Sequence, residues 1–583
     1  MKRFIKNIIL VCLAVPTLTA CLEEAYPGQG FTQDQLPGTD NSVASLSKAI
    51  PGAMLRMGSG NGHHGYAGLA MDRDCMGAEL PVFSTLYDLY GDLGTDSQLD
   101  PAYYVATDWW YFYYELIYKA NLTLKAINID ASTSAEALAH AGNALGYRAF
   151  AYYDMAFAYE YKKTGYEVLD KKAEIDKIYG LTVPIRTEHT TQQEGTNDKR
   201  APFYTMYRFI MTDLNNAETY LTGYTRTDKT LPDRRTGANM MDQGAIFGIK
   251  ARLWLQLGTR FEKYDKDLQE QLKHEDDEAL AKYDKLGIAS ANDCFKKAAQ
   301  YARLANSEGH RPLTKAEWFN STTGFNTVND AWLLAVQINT NDMTTSSDWN
   351  WKNFVGQMSP ENTFGVNNFD CKAFREIDAA LYKTIEDGDW RKNTWIAPAD
   401  AGQTAAYSKY TTLYKADDWA KLPALTGLKF HPRNGEMQNY KVGAAVDIPL
   451  MRAEEMFLIE AEAKAHYEGL EAGKQALANF LNTYRYNDNS YACTATSLDA
   501  FNDEILRQKR IEFWGEGIVY FDYRRLEKAV IRKYTGSNHP VVYQFNTKPG
   551  YVAPRMNLCL SRYERQYNEN IVNNPDPTDV HDK

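Results

Sequence analysis

A mostly α fold of antiparallel helix pairs, interrupted by long irregular insertions carrying a little β structure, is predicted by three features of this 583-residue sequence. The first is Ala141 to Glu160, where two apolar stripes run at helical spacing: Ala144, Tyr147, Ala151, Met155, Ala158 and Leu145, Ala149, Tyr152, Ala156, Tyr159. A helix apolar on two faces lies between two neighbours, so it belongs in a stack. The second is recurrence. Segments of the same Ala- and aromatic-rich texture pair as 103–127 with 134–161, 203–222 with 241–258 and 449–468 with 471–485, with another at 294–304. Small residues where helices cross and a bulky one to fill the gap are the pattern of tetratricopeptide-type pairs. The third is what separates them: Gly58–Gly94, Asn320–Asp370 and Thr535–Pro554 lack a helical period, and loops this long in a compact chain are usually functional.

Taken from the N-terminus, Lys2, Arg3 and Lys6 precede an apolar run, Ile8 to Val15, too short to cross ~30 Å of hydrocarbon. Leu18-Thr19-Ala20-Cys21 then offers small residues to a peptidase and a thiol to be acylated, as in a bacterial lipobox. The sequence therefore predicts a signal peptide over 1–20, a lipidated Cys21, a flexible tether over 21–40 and a folded domain over 41–583. That domain divides into an N-terminal part, 41–230, with the first repeats and ligand loops, and a C-terminal part, 231–583. Glu23 and Glu24 directly behind the cysteine resemble a surface-export signal, placing the anchor at the outer membrane and the cell surface. Ala331–Ile338 reads as a strand of a small sheet within its insertion.

Composition narrows the chemistry. A net charge of −11 with no Lys/Arg cluster argues against nucleic acid and disfavours acidic polysaccharides. Cys75, Cys294, Cys371, Cys493 and Cys559, left after Cys12 and Cys21, are odd in number and widely spaced, so they form neither a disulfide framework nor a zinc signature. Forty tyrosines, 24 phenylalanines and 11 tryptophans supply rings that serve packing and equally the stacking of sugars.

Ile448–Lys464 (IPLMRAEEMFLIEAEAK) and Ile505–Arg525 (ILRQKRIEFWGEGIVYFDYRR) closely resemble the SusD/RagB family of outer-membrane nutrient-binding lipoproteins. Gly146–Asp154, Gly180–Ile185, Ile377–Arg391 and Glu569–Pro577 match the family's further segments in order. The resemblance implies a SusD-like fold and a protein that captures oligosaccharide or polysaccharide for a SusC-like TonB-dependent transporter. An alternative it allows is peptide capture for an importer of RagAB type. It implies no cofactor. Arg507, Arg510, Glu512, Asp522, Arg524 and Arg525 sit at helical spacings suited to ion pairs that hold the fold, with Gly515 and Gly517 breaking the chain between two helices.

A hydrolase would need two carboxylates flanking a bond, and Asp72 with Asp74 or Glu454 with Glu455 are pairs only by proximity in sequence. Binding without catalysis is the expectation, and no metal site is predicted, His63-His64 lacking a third ligand at suitable spacing. Family ligand sites are built from loops that correspond here to Asp72–Asp108 and Asp342–Phe369. Within them, Tyr87, Tyr90, Trp349 and Trp351 are the candidate stacking rings, and Asp72, Arg73, Asp74, Glu79 and Asn350 the candidate hydroxyl partners. In an extended Trp349-Asn350-Trp351 both indoles would face one side. Trp395, Tyr407, Tyr410 and Trp419 form a reserve aromatic cluster.

Overall fold

The computed structural model describes residues 40–55, 65–81, 90, 93, 99–127, 129–224, 240–343, 354–361 and 374–580. The longer helices are α1 (Asp40–Ala53), α2 (Tyr66–Met76), α3 (Tyr104–Ala126), α4 (Ala135–Tyr159), α5 (Phe203–Tyr220), α6 (Gln243–Lys263) and α7 (Ala291–Ser307). The C-terminal half adds α8 (Ala453–Tyr467), α9 (Leu470–Tyr484), α10 (Leu498–Glu512), α11 (Val519–Leu526) and the short α12 (Arg562–Tyr567). Their starts are fixed locally. Ser134 accepts from the Ala137 N–H at the head of α4, Asp242 from Ala245 at α6, and Ser290 with Asp293 completes a capping box at α7.

The two-sided helix predicted from its stripes is α4, buried without interruption from Ala139 to Tyr159 between α3 and α5. A Cβ on Gly146 would stand 2.8 Å from Ile246 Cδ1 and 2.9 Å from Met241 Cγ, so any larger residue would have to push these side chains aside where α4 approaches α6. The stack continues α6 on α7, α7 on α8, and α8 on α9. The predicted pair 203–222 with 241–258 corresponds to α5 and α6. These touch, but α5 packs mainly on α4, and α6 on α7.

Two readings need correction. Strand β1 (Trp332–Val336) pairs antiparallel with β2 (Ile448–Arg452), Trp332 opposite Arg452 and Val336 opposite Ile448. Its partner thus comes from the start of the Ile448–Lys464 motif, not from the insertion, and the first five residues of that motif are strand, not helix. Tyr66–Met76, read as irregular, is a helix whose eleven residues are all buried. A helix enclosed on every side keeps no amphipathic period to read.

The family-motif charges lie inside. Glu512 accepts from Arg485 Nε at 2.8 Å and Arg391 Nη1 at 2.9 Å, with Arg452 Nη1 at 3.2 Å; Arg485 and Arg452 also hold Glu454, and Arg452 with Lys429 holds Glu516. Asp389 completes the set against Arg391 at 2.5 Å. Four carboxylates and four cations thereby neutralise one another without solvent, which such a buried cluster requires. Burial pushes the Glu512 carboxyl up, but the guanidinium groups of Arg485, Arg452 and Arg391 outweigh it and hold it well below the usual carboxylate range. Beyond the turn at Gly515 and Gly517, Asp522 takes Lys509 at 2.8 Å, Arg525 takes Glu462 at 2.5 Å, and Arg524 donates to the carbonyls of Phe157 and Glu160 at the end of α4. Arg524 thereby ties the C-terminal part of the chain to the N-terminal part, while Asp522 and Arg525 fasten α11 to α10 and α8.

Candidate functional site

The predicted hydroxyl partners do not face solvent. Asp72 on α2 accepts from Trp109 Nε1 at 2.9 Å. Arg73 donates to Tyr66 at 2.9 Å, to Asp154 at 2.7 Å and to Tyr113, and lies against the rings of Tyr66, Trp109 and Phe521. Asp74 accepts the Gly517 N–H at 3.1 Å, and Glu79 takes Arg510 at 2.6 Å and the Tyr523 hydroxyl at 3.1 Å. Tyr90 is fully buried near Arg375. All five are interior groups, the first four tying α2 and the residues just after it to α3, α4, α10 and α11, which corrects their reading as ligand contacts. Burial, only partly offset by the Trp109 N–H, pushes the Asp72 carboxyl up to about 8. Burial and the nearby Glu79 push Asp74 up as well.

Tyr87, Trp349, Asn350, Trp351, His63, His64 and Cys21 lie outside the described residues. The reserve cluster divides: Trp419 packs between Tyr407 and Tyr410 in a small core of their own, with ring centres 5.8 and 5.5 Å away, whereas Trp395 is buried edge-on against Trp514 in the main core. Glu455 is bound by Arg252 at 2.5 Å, so neither Glu454 nor Glu455 is placed to act on a substrate. Among the described residues no group of three or more His, Cys, Asp or Glu could hold a metal.

An open cleft lies elsewhere, between the outer face of α3 and the segment 186–196. It has a volume of about 410 Å³ and is lined by Tyr114, Ile117, Tyr118, Asn121, Leu122 and Lys125 from the helix and by Arg186, Thr187, Glu188, Thr190, Gln192 and Thr196 from the facing segment. Helix α3 is held by its buried face, where Trp109, Phe112, Tyr113, Leu116, Ile117, Ala120 and Leu124 pack inward. Its outer face therefore stays fixed, and Tyr118 on it is 57% exposed.

The facing segment is braced from behind. The Arg186 N–H donates to the Tyr152 hydroxyl at 2.6 Å, and Asn121 Nδ2 donates to the Arg186 carbonyl at 3.1 Å. The Arg186 guanidinium bonds Asp198 at 2.7 Å, pairs with Glu564 and lies 4.7 Å from the centre of the Tyr114 ring. Glu188 is taken by Arg148 at 2.5 Å, itself bonded to Asp213 at 2.7 Å. Desolvation raises the Glu188 carboxyl, but the Arg148 guanidinium outweighs it and holds the group below its ordinary range. Thr191 and Glu194 close a capping box over the one-turn helix Gln192–Gly195. Both charged groups on this wall are thus spent on internal partners. What it offers a ligand is uncharged: the Thr190 and Thr187 hydroxyls, each accepting one backbone N–H of its own segment and left with a proton to donate, and the exposed Gln192 amide.

The tyrosines of α3 continue this surface. Tyr104, Tyr111 and Tyr118 recur every seven residues, so they stay within about 20° of one another per step and rise roughly 10 Å between rings. Tyr103 and Tyr111 are about half exposed. Helix α12 lies beside α3: Trp110 Nε1 donates to Glu564 at 3.0 Å, the Arg562 N–H to the Pro101 carbonyl at 2.8 Å, and Asn568 Nδ2 to Asp198 at 2.7 Å. It adds Tyr567, 74% exposed. Sequence reasoning placed 103–127 correctly as a helix but singled out none of its tyrosines, although their seven-residue spacing was visible.

Two family models match the chain: the SusD family over residues 337–575, and "Starch-binding associating with outer membrane" over 71–238. None of the curated proteins compared with the chain matches it. Solved structures do. A SusD-like carbohydrate-binding protein from Bacteroides vulgatus is 19% identical with a TM-score of 0.65, over 92% of this chain and 97% of its own. A SusD superfamily protein from Bacteroides thetaiotaomicron is 17% identical with a TM-score of 0.61, over 92% and 100%. A laminarin-binding SusD-like protein is 15% identical with a TM-score of 0.57, over 92% and 99%. At such identities the likeness establishes the fold, and together with the two family matches it leads to one assignment. The chain is a member of the SusD-like family of binding proteins.

Proposed function

We propose that this protein is a cell-surface lipoprotein, anchored through Cys21, that captures oligosaccharides without cleaving them and passes them to a SusC-type TonB-dependent transporter in the outer membrane. The observation that carries the reading is the cleft between α3 and 186–196, where an exposed tyrosine faces threonine hydroxyls and a glutamine amide while the neighbouring arginine and glutamate are neutralised internally. A pyranose presents an apolar C–H face and a rim of hydroxyls, and that pairing suits a ring beside short uncharged donors and acceptors. Affinity is expected to be modest, because each stacked ring contributes only about 1 kcal/mol and an open cleft desolvates its ligand incompletely.

One structural neighbour is a laminarin-binding protein, which supports a glycan as ligand here. No described helix is long and apolar enough to cross a membrane. Affinity electrophoresis of the purified protein through gels containing neutral or acidic polysaccharides tests the reading. Retardation by at least one glycan, with no reducing ends released on incubation, is the expected result. Absence of retardation by any of them, with binding of oligopeptides instead, would replace it by a peptide-capture function.

A further inference from the structure

We infer that the ligand is a neutral, linear oligosaccharide that extends out of the cleft along the α3–α12 face, so that affinity grows with chain length well beyond a disaccharide. This deepens the proposed function and rests on it. The geometry supplies the track. Tyr118 stands at the cleft and Tyr111 follows one heptad, about 10 Å, toward the helix N-terminus on nearly the same side, while Tyr103 at the N-cap of α3 and Tyr567 at the end of the adjoining α12 are further exposed rings. Apart from these four, only Tyr179 and Tyr551 among the described tyrosines are comparably exposed. A single sugar ring could meet one of these tyrosines at a time. Only an extended chain could meet several, and only a chain with repeating apolar faces would match rings that recur on one side of a helix.

Charge supplies the class. Of the cleft's ionic groups, Arg186 is matched by Asp198 and Glu564, and Glu188 by Arg148, so neither is offered outward. Lys125 is the remaining cation of the lining, and one exposed ammonium at the rim is weak recognition for a polyanion. Lys119, along the same helix, is already beside Glu115 at 3.7 Å. The surface is therefore built for hydroxyls rather than for carboxylates or sulfates. An extended peptide, the other linear polymer, would need unpaired backbone groups to bond, whereas the facing segment spends its own on Tyr152, Asn121 and its internal turns.

The test is calorimetric titration with neutral gluco-, manno- and xylo-oligosaccharides of two to six rings, alongside an acidic oligogalacturonide series. Wild type, Tyr111→Ala and Tyr118→Ala are compared, with thermal unfolding run on each. For at least one neutral series, wild-type affinity rises at least tenfold from two rings to six and changes less than twofold between low and high salt. Tyr118→Ala weakens every length by roughly three- to tenfold. Tyr111→Ala weakens six rings by a similar factor and leaves two rings unchanged, with unfolding midpoints as in wild type. Two outcomes overturn the inference while leaving glycan capture standing: affinity independent of length with Tyr111→Ala silent, or preference for the acidic series with strong salt dependence. Failure of all series to bind wild type removes the proposed function along with it.

Discussion

Asp72 shows how much a side chain's identity leaves open. In the sequence Asp72, Arg73, Asp74 and Glu79 form a polar group in a segment without helical period, which suits contacts to a ligand. In the structure they are buried, and Tyr90 with them, because α2 is enclosed, and Asp72, Arg73, Asp74 and Glu79 each bond an interior partner. Sequence registers polarity but not the walls that surround it. The Asp72 carboxyl, pushed by burial up to about 8, keeps its proton in the folded state at a pH where the unfolded chain, with an ordinary value of about 4, has lost it. The stability from this group is therefore full below about pH 4 and is lost as pH rises through about 8. Asp72→Asn still accepts from Trp109 and cannot ionise. The gap in unfolding free energy between variant and wild type should widen with pH in the variant's favour, by up to ~1.4 kcal/mol per pH unit across that window. A gap of constant size from pH 5 to 8 would show that Asp72 is ionised in the fold.

Among the elements, what was legible followed from local period, and what was not depended on distant partners. The stripes of α4 announced a helix with neighbours on two sides, and the Gly515/Gly517 break announced the α10–α11 turn. That β1 would pair with Ile448–Arg452 could not be read, since more than a hundred residues separate the strands. The tyrosine row of α3 was present in the spacing, but only the fold shows that its opposite face is the buried one. The turn and the charge cluster each carry a prediction. Gly517 has φ +69°, and a Cβ there would stand 2.5 Å from Ala70 Cα. Gly517→Ala should destabilise by at least ~1–3 kcal/mol, read from the denaturant midpoint. Glu512→Ala leaves Arg485, Arg391 and Arg452 short of a partner in the interior, and a loss of about 3–5 kcal/mol is expected in the same assay. A loss under 1 kcal/mol would mean that the remaining carboxylates compensate.

At the scale of the whole molecule, the proposed function sets the packed helix stack behind the proposed ligand face and asks of Cys21 that it serve as the anchor. If Cys21 is the anchor, Cys21→Ala should release the protein from the membrane fraction and impair glycan uptake by cells, while binding by the purified protein stays unchanged. Loss of binding in solution would mean that the N-terminal segment belongs to the site instead. The candidate ligand surface departs from the one read in the sequence: Tyr87, Trp349, Asn350 and Trp351 lie outside the described residues, and the cleft that presents sugar-compatible groups is formed by α3 and 186–196. The central claim is that this cleft binds glycan, and the most direct measurement is affinity electrophoresis of wild type and Tyr118→Ala side by side through gels of neutral polysaccharide. The account predicts retardation of the wild type that is reduced or lost in the variant, with equal unfolding midpoints for the two. Equal retardation of both proteins would contradict it.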